Sequence, residues 1–169
     1  MESKYRNKPE RLNLFSPIPI FTTFLSRKIE ELPKKLHMYT PGKFKAEDRE
    51  EVLAFIRANS FGILVNQSEG KLWATHIPLL LDAKEEKLSG HISKANKQWK
   101  AFSSGDEVMV IFQGPHAYIS PSWYDHKNVP TWNYVAAHVY GTITIIEGEE
   151  LYQELGNLVD NYESGFKHP

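Results

Sequence analysis

Two hydrophobic periods alternate along the chain. Over residues 46–59 the apolar positions Val52, Leu53, Phe55 and Ile56 recur at helical spacing. Glu47, Asp48, Glu50 and Glu51 crowd the first turn, where the helix dipole favours negative charge. The period then shortens to two. Residues 61–66 read as a short strand, followed by a turn at Gln67-Ser68-Glu69-Gly70. Further strands are predicted over 72–81, 87–93, 107–113 and 134–147, the last rich in β-branched residues. Pro78 removes a ladder donor and predicts an edge or bulge, and Gly141 predicts a second bulge. Asn96 is placed to cap a short helix over 97–103. Leu151, Leu155, Leu158, Val159 and Tyr162 form the apolar stripe of a final amphipathic helix. Strands joined by short turns predict a mainly-β domain with flanking helices, an antiparallel meander closing into a small barrel.

One stretch breaks the pattern. Beyond Phe112 the alternation stops, and Pro115, Pro121 and Pro130 fix the backbone between Trp123, Trp132, Tyr118, Tyr124 and Tyr134. Rigid turns carrying planar side chains, a histidine, hydroxyls and an amide suit a site for a flat, polar-edged ligand. An aromatic loop closing a barrel end is the structural alternative.

Composition narrows the chemistry. The 169 residues suit one domain. There is no cysteine, which excludes disulfides, Cys-ligated zinc, iron–sulfur clusters and thiol catalysis. The formal net charge of −1 argues against a protein built mainly to grip phosphate backbones. Charge is uneven, however. Residues 1–37 carry eight Lys/Arg against four Glu, a net +4 that leaves −5 for the rest. Their apolar run, 12–25, is broken by Pro17 and Pro19 and is too short to span a bilayer. Residues 1–37 therefore read as a poorly ordered extension, with Met38 as the start of the domain proper, 38–169.

Seven histidines are present, but no His-x-His or helical i, i+4 pair, and no metal site is expected. No P-loop, dinucleotide fingerprint or nucleophile elbow occurs. Gly90-His91-Ile92-Ser93-Lys94-Ala95-Asn96 ends a strand and opens a helix, bringing His91, Ser93, Lys94 and Asn96 together with free helix N–H groups. That is the composition of an anion cradle. A simple helix cap beside a solvated lysine is the alternative.

Four segments together resemble the PaiB-like family of FMN-binding negative transcriptional regulators. They are Met38-Tyr39-Thr40-Pro41…Phe44, Ala74-Thr75-His76-Ile77-Pro78-Leu79-Leu80-Leu81, the Gly90–Trp99 segment just described, and GPHAYISPSWY (114–124) followed by VPTWNY (129–134). The resemblance runs from Met38 to about Glu163. It implies an FMN-binding split β-barrel, of the type shared by flavin reductases and pyridoxamine-phosphate-oxidase-like proteins. It further implies a homodimer with FMN at the subunit interface. Thr75, His76 and Pro78 are expected beside the isoalloxazine. His91, Ser93, Lys94 and Asn96 are expected along the ribityl chain and phosphate, with Trp99 supporting them. Ser120, Trp123, Trp132 and Asn133 are expected on the other wall. A satisfied buried histidine at His76, and core or interface packing for both tryptophans, are the alternatives. The family continues past the position of Pro169, so the domain is expected to be cut short there.

Three functions are compatible with this resemblance. One is a cytoplasmic repressor of degradative-enzyme or sporulation genes. The second is an FMN-dependent oxidoreductase, although no set of catalytic residues can be identified in the sequence. The third is a module that binds flavin or a related ligand without turnover. No helix-turn-helix pattern supports DNA binding, and the basic residues 1–37 are the only candidate DNA arm.

Overall fold

The computed structural model describes residues 20–26, 40–82, 84 and 86–167. Six strands close a barrel: β1 (Ile20–Ser26), β2 (Phe61–Ser68), β3 (Lys71–Asp82), β4 (Lys87–Ser93), β5 (Glu107–Ile119) and β6 (Thr131–Ile146), in the spatial order β1-β4-β3-β2-β5-β6. Helix α1 (Arg49–Ala58) precedes β2, and α2 (Gly148–Glu163) follows β6. All pairings are antiparallel. The mainly-β split barrel with flanking helices expected from the sequence is the fold observed.

Two long strands divide the barrel into two sheets. β3 pairs with β2 from Lys71 to Pro78 and then, from Leu79 to Asp82, with β4. β6 pairs with β5 up to Thr142 and with β1 from Ile143 to Ile146. The switch in β3 falls at Pro78, which has no N–H to offer a ladder. Leu79, the next residue, donates its N–H to Ser60 O at 2.9 Å.

Leu64, Val110, Phe112 and Ile143 are fully buried at the centre, joined by Ile56, Leu79, Leu88 and Val108. Each such side chain contributes about 1.5–3 kcal/mol by leaving water. Asp48 caps α1 by accepting from Glu50 N at 2.8 Å. The helix sets Leu53 and Ile56 into the core, with Val52 and Phe55 packed beside them. α2 lies against β4, β1 and β3. It is held by a Lys87–Glu154 ion pair at 3.1 Å and a Tyr162–Ser60 hydroxyl contact at 2.6 Å.

Three expectations need correction. Ile20–Ser26, assigned above to a poorly ordered extension, forms β1 and fills the slot between β4 and β6. Its two partners lie far away in sequence. The rest of residues 1–37 falls outside the described residues. The second correction concerns the stretch after Phe112, which remains a strand. β5 runs on to Ile119 and pairs with β6 as a projecting two-stranded ribbon. A register shift between Gln113 and His116 absorbs Gly114 and Pro115, as a bulge tolerates a residue without an N–H. Third, no shift occurs at Gly141, which sits in regular register opposite Val108.

Candidate functional site

Where β3 changes partner, β3 and β4 part company. Their ladder begins at Asp82–Lys87 and ends at Leu79–Gly90. Beyond it β4 continues to Ser93, and β3 extends back through Ile77, His76 and Thr75 with no strand on that side among the described residues. Gly90 permits the closest approach at the fork. A Cβ built there would lie 2.8 Å from Pro78 O and 2.7 Å from Leu79 Cδ2. The chain then crosses back to β3: Asn96 Nδ2 donates to Thr75 Oγ1 at 2.8 Å. The result is a window rimmed by Thr75–Pro78, His91–Ser93 and the turn at Lys94–Asn96.

Beneath the window lies a polar network. Thr75 alternates with the inward-facing Ile77 and Leu79, and its hydroxyl donates to Gln98 Oε1. Gln98 is fully buried at 0 % exposure. Its Nε2 donates to Leu64 O at 3.2 Å and to Asn66 Oδ1 at 2.9 Å. Its own N–H is taken by Asn96 Oδ1 at 3.0 Å. The Thr75 proton is thus committed inward, and what this part of β3 offers a ligand is main-chain N–H and C=O. The predicted helix after Asn96 is a five-residue 3₁₀ turn, Lys97–Ala101. Two N–H groups at its approach are already bonded, Gln98 N to Asn96 and Ala95 N to Ser93 Oγ at 3.2 Å. The cradle therefore consists of side chains and strand edges rather than a free helix end.

Around the rim, Trp99 Nε1 donates to Lys94 O at 2.9 Å and braces the turn. Lys100 Nζ sits 5.7 Å from the centre of the Trp99 ring. His76 is on the opposite face from Thr75, exposed, and stacks on Phe61 at 6.1 Å. It is not the satisfied buried histidine of the alternative. His91 is half-buried, and its Nδ1 is enclosed without a hydrogen-bond partner among the described residues. Such an atom is costly unless something pairs with it. Burial also holds the His91 pKa below its ordinary 6.5. The unfolded chain then takes up a proton below pH 6.5 that the folded protein refuses, so stability falls as pH drops from 6.5 toward the lower folded value. His91→Gln is expected to flatten that acid limb between about pH 7 and 5 in thermal unfolding. Equal slopes for the two proteins would mean that the ring titrates alike folded and unfolded.

The predicted second wall is elsewhere in the chain. Ser120 caps the 3₁₀ turn Pro121–Trp123, accepting from Ser122 N at 3.2 Å. Trp123 is 69 % exposed, and Trp132 is 60 % exposed between His116 and Tyr118. Asn133 pairs with Ala117 across the ribbon. β2 meets β5 only over Met109–Ile111, so the ribbon's outer part leaves the barrel without approaching the window through any strand. Thr75, Pro78, His91, Ser93, Lys94, Asn96 and Trp99 are thus gathered at one place, and Ser120, Trp123, Trp132 and Asn133 at another. Gln98 and Asn66 were missed in the sequence. A lone glutamine inside a short polar turn carries no periodic signal, and only its place two residues after a capping asparagine pointed to it. Among the described residues no cluster suits a metal ion, and no helix is long and apolar enough to cross a membrane.

A split barrel whose parted strands expose main-chain polar groups beside a half-buried imidazole and a turn with lysine and asparagine has the chemistry to receive a flat, polar-edged ligand. Residues 38–169 match the family described as "Putative FMN-binding domain", and the chain belongs to it, with FMN as the family's cofactor. "Protease synthase and sporulation protein PAI 2" of Bacillus subtilis is 45% identical over 134 residues, covering 78% of this chain and 65% of that protein. This relative bears out the resemblance to PaiB. "Uncharacterized protein YKL070W" of Saccharomyces cerevisiae is 38% identical over 100 residues, 53% of this chain and 59% of that protein. "Uncharacterized protein AN0679" of Emericella nidulans is 37% identical over 124 residues, 53% of this chain and 49% of that protein. The chain thus spans about half to two thirds of the length of these relatives.

Proposed function

We propose that this chain is a PaiB-type regulatory flavoprotein that holds FMN in the β3–β4 window and works as a homodimer in the cytoplasm. The parting of the two strands at Pro78 and Gly90 carries the reading. It leaves an edge of main-chain donors and acceptors along Thr75–Ile77, matched to the polar edge of a flat heterocycle. His91, Ser93, Lys94 and Asn96 line the way from that edge to the turn, where a charged tail is received. When bound, FMN supplies a planar redox-active ring. The chain's own part is to orient that ring and exclude water from one side. Trp123, Trp132, Tyr134 and Val135 are exposed on the projecting ribbon, an apolar surface suited to a partner. A second copy covering it would bring Ser120, Trp123, Trp132 and Asn133 to its partner's window.

The regulatory role rests on the resemblance to PaiB and on the printed name of the Bacillus relative, a sporulation protein. Among the described residues α1 and α2 are separated by five strands and make no helix-turn-helix pair, so operator contact is assigned to the basic residues 1–37.

The test is the visible spectrum of the purified protein, with and without added FMN. Flavin absorbance that persists through gel filtration, and weakens in His91→Ala, is the expected result. A protein that takes up no FMN overturns the reading. A gel shift surviving near-physiological salt supports regulation by direct contact. Consumption of NADH or NADPH without a shift transfers the function to an oxidoreductase.

A further inference from the structure

We infer that the main-chain N–H of residue 98 and a side-chain relay from Gln98 through Thr75 together fix Asn96 as a hydrogen-bond donor toward the window, with Gln98 and Thr75 as positioning residues, so that the ligand atom received there is an acceptor oxygen. The inference rests on the FMN reading above and adds the polarity of one contact within it.

Two main-chain atoms have roles that are not negotiable. Leu64 C=O can only accept, so the Gln98 amide must turn its nitrogen to it, at 3.2 Å. The second proton of that nitrogen goes to Asn66 Oδ1 at 2.9 Å, and the Gln98 oxygen is left facing Thr75. Gln98 N–H can only donate, so Asn96 must turn its oxygen to it, at 3.0 Å, and its nitrogen to Thr75, at 2.8 Å. Thr75 therefore stands between an oxygen and an N–H₂ group. Its hydroxyl donates to Gln98 and accepts from Asn96, and the reverse arrangement would break a bond at each end. The direction of every hydrogen bond is thus set from the barrel interior outward.

One proton is left over. Asn96 Nδ2 gives one hydrogen to Thr75, and the other has no acceptor among the described residues. Asn96 is half-buried on the rim while Gln98 beneath it is fully enclosed, so that hydrogen is offered at the window. A carbonyl or phosphate oxygen satisfies it, and a ligand N–H or ammonium group does not. Because Gln98 at the base of the relay is fully buried, it cannot exchange a partner for water, which favours one polarity along the relay.

The test uses the whole chain and two readouts: FMN titration, and the side-chain amide resonances of Asn96 by NMR without ligand. Wild type is expected to show two unequal Asn96 amide protons, one bonded and one free. Thr75→Val, close to isosteric, is expected to bring the two together and weaken FMN binding about tenfold. Thr75→Ser should recover most of that loss. Asn96→Asp, which replaces the donor by an acceptor, should weaken FMN at least as much. Gln98→Met serves as a second break of the relay, and if it does not fold, Thr75→Val carries the decision. The inference is overturned if Thr75→Val leaves the Asn96 protons and FMN affinity unchanged, or if Asn96→Asp binds FMN as wild type does. Failure of wild type to bind FMN removes the functional reading. In that case the Asn96 resonances in wild type and Thr75→Val still decide the relay.

Discussion

Phe112→Ala is expected to lower the stability of this protein by about 3–5 kcal/mol, the range for deleting a buried aromatic ring. Phe112 is 0 % exposed on the inward face of β5, in line with Val110 and Val108. The ring has an unusual neighbour across the sheet. A Cβ on Gly62 of β2 would lie 3.0 Å from Phe112 Cε1, so the ring covers bare backbone there. When it is removed, β2 has no side chain at that point to lean into the space, and the cavity stays open. That places the loss at the upper end of the range. At about 2–4 °C per kcal/mol for a chain of this size, the thermal midpoint should fall by roughly 10 °C or more. Urea unfolding measures the effect directly. A loss below about 1 kcal/mol would mean that the barrel collapses around the missing ring and that the core is less close-packed than the structure has it.

The second large effect lies at the fork. Gly90→Val should cost about 3 kcal/mol, at the top of the range for overpacking, and abolish FMN uptake with it. One of the two atoms in the way is Pro78 O, a carbonyl that moves only if β3 moves. Leu79–Gly90 is also the last rung of the β3–β4 ladder, so nothing beyond it resists the strands being wedged apart. The expected signature is therefore coupled, a lower thermal midpoint together with a colourless protein. Gly90→Ala should give a smaller version of both. A valine variant as stable as wild type would refute the close approach, and one that is destabilised but still takes up FMN would place the ligand away from the fork.

Much of this fold is legible in the sequence because its signals are local. β2 and β3 alternate cleanly and meet through the two-residue turn Glu69-Gly70, both with positive φ. Asn96 announces itself as a cap and caps, whereas Asp48, which the sequence shows only as first-turn charge, is the cap of α1. Pro78 was read as an edge or bulge, and it is where β3 changes sheet. β1 was not legible, since Thr22 pairs with His91 on one side and Ile146 on the other, and nothing in seven residues names partners so distant. The ribbon was hidden by Pro115, which reads as a strand breaker until the register shift that accommodates it is seen. At the window, chemistry was legible from residue types, but direction was not. The resemblance implies Thr75 and Asn96 as ligand contacts, whereas their mutual hydrogen bond, and the glutamine beneath it, depend on a turn folding back over β3.

The strand edge at Thr75–Ile77 has a consequence for how such a protein can change. Recognition by main-chain atoms is written in no particular side chain, so single substitutions along the edge leave its donors and acceptors in place. Drift in sequence can recolour the surroundings while the edge continues to greet the same heterocycle. A new ligand preference would have to come from the turn and β4, where side chains do the reading, or from a change that reshapes the backbone itself. If FMN is held at the window as proposed, affinity for a ring shape and discrimination between ring-bearing molecules lie in separate, independently tunable parts.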